Sequence, residues 1–456
     1  MPNRDTFVEM RLVWADESGQ IYDEKAWQAT GRSAFWFFPW QVFGKWIPLP
    51  EGSVLFHLPG RRPIGVAPEG KLRTYPRGWA VAAFVAPAHT QLALSAYEKD
   101  PHAPTLPLYA YTAVGWKDGR FWVPAIRIDP QPRQDARRFF PPAIEQGKKA
   151  LLARFPRNRL VAHLMHNCVD RYGCPAARNL ALGRWECPLP VSPACNAACM
   201  GCISLQEPHE SPIPSSQERL TFLPTPEEIA ELAVYHLERA PDPIVSFGQG
   251  CEGEPLLAWK NILEAVTRIR KKTSRGLINL NTNGAWPAII EKLAKAGVDS
   301  FRISLNSAQP EWYERYYRPR NYTFASVKES IRRAVVLGKW VSINYFTLPG
   351  FTDQPAEYTA LQALIAETGL HMIQWRNFNI DPDWYIQRMG FSQADFERPI
   401  GIRGLMKALR KRFPHLRYGY FNPPEWFIRR FLPGHTKHPP SAVVVPSGKG
   451  SDAQPD

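Results

Sequence analysis

The sequence predicts an α/β protein: a partial (β/α)6 barrel of TIM-like form, preceded by a β-rich N-terminal accessory domain. Three observations predict it. From residue 188 onward, short apolar strands alternate with amphipathic helical stretches six times. Parallel strands need helical crossovers, so such alternation implies a parallel sheet. Before about residue 140 the chain instead shows period-two aromatic and aliphatic runs broken by turn residues. The length of 456 residues allows two or three domains with a sizeable core. A doubly wound sheet is the alternative arrangement of the same units. In either, loops at the C-terminal ends of the strands form the site.

The elements follow in order. "YAYTAVGWKDGRFWVPAIRI" reads as a hairpin around Asp118-Gly119, a turn that needs positive φ. "PAIEQGKKALLARF", residues 142–155, reads as a helix and closes the first domain, 1–155. Residues 156–187 form a cysteine-bearing connector. The barrel, 188–415, then pairs "PLPVSP", "IVSFGQG", "LINLNTNG", "SFRISLNS", "WVSINYFTLPG" and "MIQWRNFNI" with the helices between them, and ends in a basic helix near 402–413. Residues 416–456 form a C-terminal extension, with disorder expected from about 435 because that stretch is rich in Pro, Ser and Gly.

Composition narrows the class. The chain is 44% hydrophobic and 21% charged, as a soluble globular protein is. "MPNRDTFVEM" has no apolar core and is no signal peptide, and "SAFWFFPWQVF" and "WAVAAFVAPA" are too short to span a bilayer. The expected location is cytoplasmic, where clustered thiols stay reduced and bind metal more often than they pair. A net charge of +14 points to an acidic partner such as RNA, or to solvated basic helix faces, which we favour. The basic runs "RIRKK", "KALRKRF" and "IRRF" are short, and no nucleic-acid motif accompanies them.

The cysteines carry the chemistry. "CNAACMGCIS" holds Cys195, Cys199 and Cys202 in the spacing C-x3-C-x2-C, just after the first barrel strand. A structural zinc site takes four protein ligands, and so does an ordinary cubane cluster. Three thiolates leave one metal position open to a substrate or cofactor. The plain alternative is a zinc knuckle with a borrowed fourth ligand, which would make the chain a zinc-stabilised basic module that binds RNA.

This loop, placed after the first of six β-α units, resembles the radical S-adenosylmethionine (radical SAM) superfamily over residues 188–390. The resemblance implies that the three cysteines hold a [4Fe-4S] cluster whose open iron is chelated by S-adenosylmethionine. Reductive cleavage then yields a 5′-deoxyadenosyl radical that abstracts hydrogen from an unidentified substrate, as an oxidoreductase or transferase. A radical enzyme that modifies RNA would unite the cluster with the positive charge. The resemblance also implies a cellular electron donor such as flavodoxin or ferredoxin. It places Gly253 and Glu254 of "GQGCEGEP" at the methionine amino group. Asn281 and Asn283 after the third strand, and Ser304 and Asn306 on the fourth, resemble the ribose and carboxylate contacts. "LPGFTD" resembles the turn near the adenine, and Arg376 is suited to a carboxylate. The family usually has an aromatic residue before the third cysteine; here that position is Gly201.

Three further cysteines, Cys168, Cys174 and Cys187, crowd the connector and read as a second metal site, expected to be an auxiliary iron-sulfur cluster. Buried thiols or a structural zinc are the alternatives. His163, His166 and Cys251 are candidates for a fourth ligand. An extended first strand would separate Cys187 from Cys251, so Cys251 is expected to act as a thiol on the active-site side.

Overall fold

The computed structural model describes residues 9–209 and 211–432, so the stretch expected to be disordered lies outside the described residues. A seven-stranded parallel sheet organises the second half. Its strands are Glu186–Leu189, Ile244–Phe247, Leu277–Thr282, Ser300–Leu305, Trp340–Thr347, Met372–Asn377 and Arg417–Gly419, paired in sequence order. The six expected strands are present. The seventh, three residues long within the expected C-terminal extension, is too short to show a period.

The two faces of the sheet differ. Val245, Phe247, Ile278, Leu280, Phe301, Ile303, Ile343 and Trp375 form a fully buried apolar face under the helices. The alternate residues are polar. Asn281 stands beside Arg302, Ser304 beside Asn344, and Asn344 beside Gln374 in the register. Asn279 donates to Ser246 Oγ (3.2 Å) and accepts from Ser300 Oγ (2.8 Å). A parallel sheet sandwiched between helix layers is usually apolar on both faces; a polar face marks a lined cavity.

Helices connect the strands on the apolar side. Helix Pro226–Arg239 opens on a capping box, in which Thr225 accepts from the Glu228 amide (3.2 Å) and Glu228 from the Thr225 amide (2.8 Å). The basic runs sit where the helix dipole favours cations. Arg270, Lys271 and Lys272 end helix Trp259–Lys272, and Arg410, Lys411 and Arg412 end helix Ile402–Arg412. Arg268 pairs with Glu227 and Glu264, and Arg270 with Asp299.

The first half is antiparallel, a ten-stranded sheet assembled from strands between Arg11 and Val123. The expected hairpin is there: Gly115–Lys117 pairs with Arg120–Val123, with φ of 50° at Asp118 and 73° at Gly119. Strand His89–Gln91 lies against the sixth parallel strand. Thr90 Oγ1 donates to the Trp375 carbonyl (3.2 Å), and the Gln91 amide to Asn377 Oδ1 (2.8 Å). The seam is fastened by a buried ion pair, Arg61 Nη2 to Asp381 Oδ2 at 2.8 Å, with both side chains fully shielded. Arg32 pairs with Asp383 at 2.7 Å beside it. Asp381 also caps helix Pro382–Met389 by accepting from the Asp383 and Trp384 amides.

Candidate metal and cofactor site

Cys195, Cys199 and Cys202 follow the first parallel strand on an irregular loop, partly exposed. Backbone hydrogen bonds from two directions hold the loop. On one side, the Gly253 amide donates to the Ser192 carbonyl (2.7 Å) and the Glu254 amide to the Ala194 carbonyl (2.8 Å). A Cβ at Gly253 would stand 2.0 Å from the Ala194 oxygen, so only glycine permits this approach. On the other side lies the segment after the fourth strand. The Ala198 and Met200 amides donate to the Tyr317 and Tyr316 carbonyls (2.9 and 3.1 Å), and the Arg320 amide to Asn196 (2.8 Å).

The strand-two loop also carries two buried acids. Glu252 accepts from the Val191, Ser192 and Gln249 amides (2.7, 2.9 and 2.6 Å), and burial pushes its carboxyl up to about 8. Glu254 accepts from the Leu256 and Asn283 amides (3.0 and 2.8 Å) and from the Thr282 hydroxyl, and burial pushes it up to about 7. One acid therefore braces the exit of the first strand and the other that of the third. Asn283 Nδ2 donates to Asn196 Oδ1 (2.7 Å), which ties the third strand's tip to the cysteine loop. Asn196 Nδ2 remains buried without a partner beside it.

The other expected residues are placed as follows. Asn281 donates to the Gly248 carbonyl (2.7 Å) and accepts from Asn279. Ser304 lies half-buried on the polar face of the sheet. The Asn306 amide donates to the Trp312 carbonyl (3.0 Å) and is fully covered. Arg376 stacks over Tyr420 at 4.2 Å and donates to Asn344 Oδ1 (2.5 Å) and Gln374 Oε1 (3.2 Å). It lines a cavity of about 760 Å³ together with Arg302, Glu186 and Asn422. The "LPGFTD" turn packs against the first half: a Cβ at Gly350 would meet Ser33 and Ala34 at about 2.5 Å.

Gly201 has a packing reason. A Cβ there would stand 2.5 Å from Ile380 and 3.0 Å from the Tyr316 hydroxyl, so aromatic neighbours come from outside the loop. Sequence reasoning missed these tyrosines. It also missed Arg219, which donates to Cys202 Sγ (3.5 Å) and Ser204 Oγ (3.1 Å) and places positive charge beside the thiols. It passed over Glu252 too, although an acid two residues before Glu254 is visible in "CEGEP". Burial raises the Cys195 thiol to about 11 and pushes the Cys199 thiol well above its usual value. Their deprotonation is therefore coupled to binding a cation.

The remaining cysteines depart from expectation. Cys251 was expected on the active-site side; its one thiol contact shown among the described residues is with the connector. Glu252 is bound inward to the first strand's exit, and Cys251 faces the connector, with its Sγ 3.9 Å from Cys168 Sγ. Cys187 is fully buried in the apolar core with its Sγ against the Pro188 carbonyl (3.8 Å), away from any other thiol contact shown among the described residues. Cys174 starts helix Pro175–Ala181, and its amide donates to the Cys168 carbonyl (2.7 Å).

Residues 189–363 match the family model described as Radical SAM superfamily. That segment contains the three-cysteine loop and the strand-two loop, so the match falls on the residues that carry the resemblance. The chain is 26% identical over 202 residues to the FeMo cofactor biosynthesis protein NifB of Klebsiella pneumoniae, covering 41% of each chain. It is 30% identical over 162 residues to a probable GTP 3′,8-cyclase of Methanococcus aeolicus, covering 35% of this chain and 48% of that one. The chain thus spans less than half the length of these curated relatives. Among solved structures, a radical SAM methyltransferase from Sphaerobacter thermophilus matches at 19% identity and a TM-score of 0.36, over 50% of this chain and 65% of that one. The superfamily uses a [4Fe-4S] cluster and S-adenosylmethionine, and the donor set fits: three cysteine thiols on one glycine-cradled loop, leaving a fourth metal corner open. Among the described residues no helix is long and apolar enough to cross a membrane.

Proposed function

We propose that the chain is a radical SAM enzyme whose parallel sheet is the wall of a partial barrel, with residues 1–155 as an accessory domain and 156–187 as a connector. The observation that carries this reading is the three-cysteine loop after the first parallel strand, pinned by Gly253 and Glu254 inside the segment that matches the family model. When bound there, the cluster and S-adenosylmethionine supply one-electron reductive cleavage and hydrogen abstraction.

The chain's own residues have separable tasks. Cys195, Cys199 and Cys202 are the ligands. Gly253 lets the strand-two loop approach the cysteine loop, and Glu254 sets the Asn283 amide against Asn196. The remaining Oε2 lone pair of Glu254 suits an ammonium group, and Arg219 offsets negative charge at Cys202. Ser304, Asn281 and Asn306 are held near the strand tips for cofactor contact. Arg376 and Arg302 face the cavity, which favours a substrate bearing a carboxylate or phosphate. A cytosolic flavodoxin or ferredoxin would supply the electron.

The test is anaerobic reconstitution with iron and sulfide, then reduction with dithionite in the presence of S-adenosylmethionine. The brown wild-type protein is expected to release 5′-deoxyadenosine and methionine in equal amounts. A colourless protein that binds no iron and releases neither would overturn the reading.

A further inference from the structure

His163, Cys168 and Cys251 bring one ring nitrogen and two sulfurs within 4.8 Å of one another. We propose that these three side chains hold a single tetrahedral metal ion of the zinc class, separate from the cysteine-loop cluster and independent of the activity proposed for it.

The spacing decides between one ion and a cluster. A zinc–sulfur bond of about 2.3 Å in tetrahedral geometry sets two sulfurs about 3.8 Å apart. Cys168 Sγ and Cys251 Sγ are 3.9 Å apart. A cubane instead spreads its thiolates over the corners of a four-iron core, which is wider. The mixed imidazole and thiolate donors suit zinc.

The backbone is built for this pairing. His163 ends a short α-helix and Cys168 lies in the π-helical turns Leu164–Arg171 that continue it. In an α-helix, five residues turn about 500°, which would carry Cys168 roughly 140° around the axis from His163. A π-helix bonds residue i to i+5 and so stacks the two on one side. The rare winding coincides with the i, i+5 ligand pair. Ordinary α-helical continuation would have separated them.

The surroundings are those of a structural site. Cys168 and Cys251 are buried. The Leu220 amide donates to the Cys251 carbonyl (2.7 Å), and the Phe222 ring packs edge-on against His163. His163 Nε2 is a buried atom with no hydrogen-bond partner, as an atom reserved for a ligand would be. His166, three residues on, is largely exposed and faces Asp170, so it takes no part. Water would complete the tetrahedron. The ion would tie the connector to the same loop that carries Gly253 and Glu254.

The experiment uses the full chain with Cys195, Cys199 and Cys202 all changed to Ala, purified anaerobically, so that loop iron is removed. About one zinc ion per chain is expected by elemental analysis, with a sulfur and nitrogen shell in X-ray absorption. Cys168→Ser or Cys251→Ser in that background should lower it below one tenth of an equivalent. Should either serine variant fail to fold, His163→Ala leaves both thiols in place and should release the ion to a chelator at least tenfold faster. A folded, metal-free parent overturns the proposal, as does a Cys168–Cys251 disulfide in it. Iron and sulfide in a four-to-four ratio would overturn it in favour of a second cluster. Failure of the radical reading would show separately, as absence of 5′-deoxyadenosine from wild type.

Discussion

Two groups of candidate metal ligands flank one loop, and they are built to different rules. The Cys195 group sits on irregular backbone, partly exposed, with its position set by hydrogen bonds from the Gly253 and Glu254 amides and to the Tyr316 and Tyr317 carbonyls. The Cys168 and Cys251 group is buried, and a helix of unusual winding sets its spacing. The first keeps a corner free and spends its surrounding structure on orientation. The second closes its donors on one point. Openness suits chemistry and closure suits structure; a single seven-residue loop, 248–254, serves both.

The sharpest way to break the comparison is to remove one thiol from the open group. Cys199→Ala should reduce 5′-deoxyadenosine release to background, while zinc content and the thermal midpoint stay near wild type. Release at a tenth of the wild-type rate or more would show that the open group is not the reacting one. Next in size is Gly253→Ala. The added methyl meets the Ala194 carbonyl, and overpacking against backbone costs about 1–3 kcal/mol. The cysteine loop should shift and iron content fall by half or more, with zinc retained, as elemental analysis would read.

Glu254→Ala tests orientation without ligation. A hydrogen bond to a charged group contributes about 1.5–3 kcal/mol, so S-adenosylmethionine should bind roughly tenfold to a hundredfold more weakly at unchanged iron content. Equilibrium binding to the reconstituted protein would show it. The smallest effect serves as a control remote from both groups. His236 is buried against the Trp185 carbonyl (3.1 Å), and burial depresses its pKa to about 4. The unfolded chain binds a proton near pH 6.5 that the folded chain refuses. Stability from this group is therefore full above about pH 6.5 and is lost as pH falls towards 4. His236→Gln should flatten the midpoint-versus-pH curve across that window, without altering either metal.

Much of this was legible in the sequence, for physical reasons that particular residues show. The six strands announced themselves because each is bounded by turn residues and followed by an amphipathic helix. The Asp118-Gly119 hairpin was legible because few residue pairs tolerate positive φ twice. The cysteine loop was legible because its ligands are local, within eight residues. The partnership of Cys168 with Cys251 was not, because 83 residues separate them and no pattern joins them. Crowding in sequence suggested Cys187, whose side chain lies in the apolar core. The polar face of the sheet left a signal, the alternation in "FRISL" and "VSIN", which a search for apolar runs passes over.

The buried pair of Arg61 and Asp381 sets a schedule for making the molecule. The two residues are 320 positions apart. At a synthesis rate of roughly 5–20 residues per second, about 16–64 s pass between their appearances. Through that interval the antiparallel half has its Arg61 without the carboxylate that justifies burying it, and a buried charge without its partner is strongly unfavourable. The first half to be synthesised is thus held back from its final packing until the sixth parallel strand and the helix after it have emerged. Completion of the two halves becomes a single late event, and truncation before residue 381 would leave a chain that cannot close.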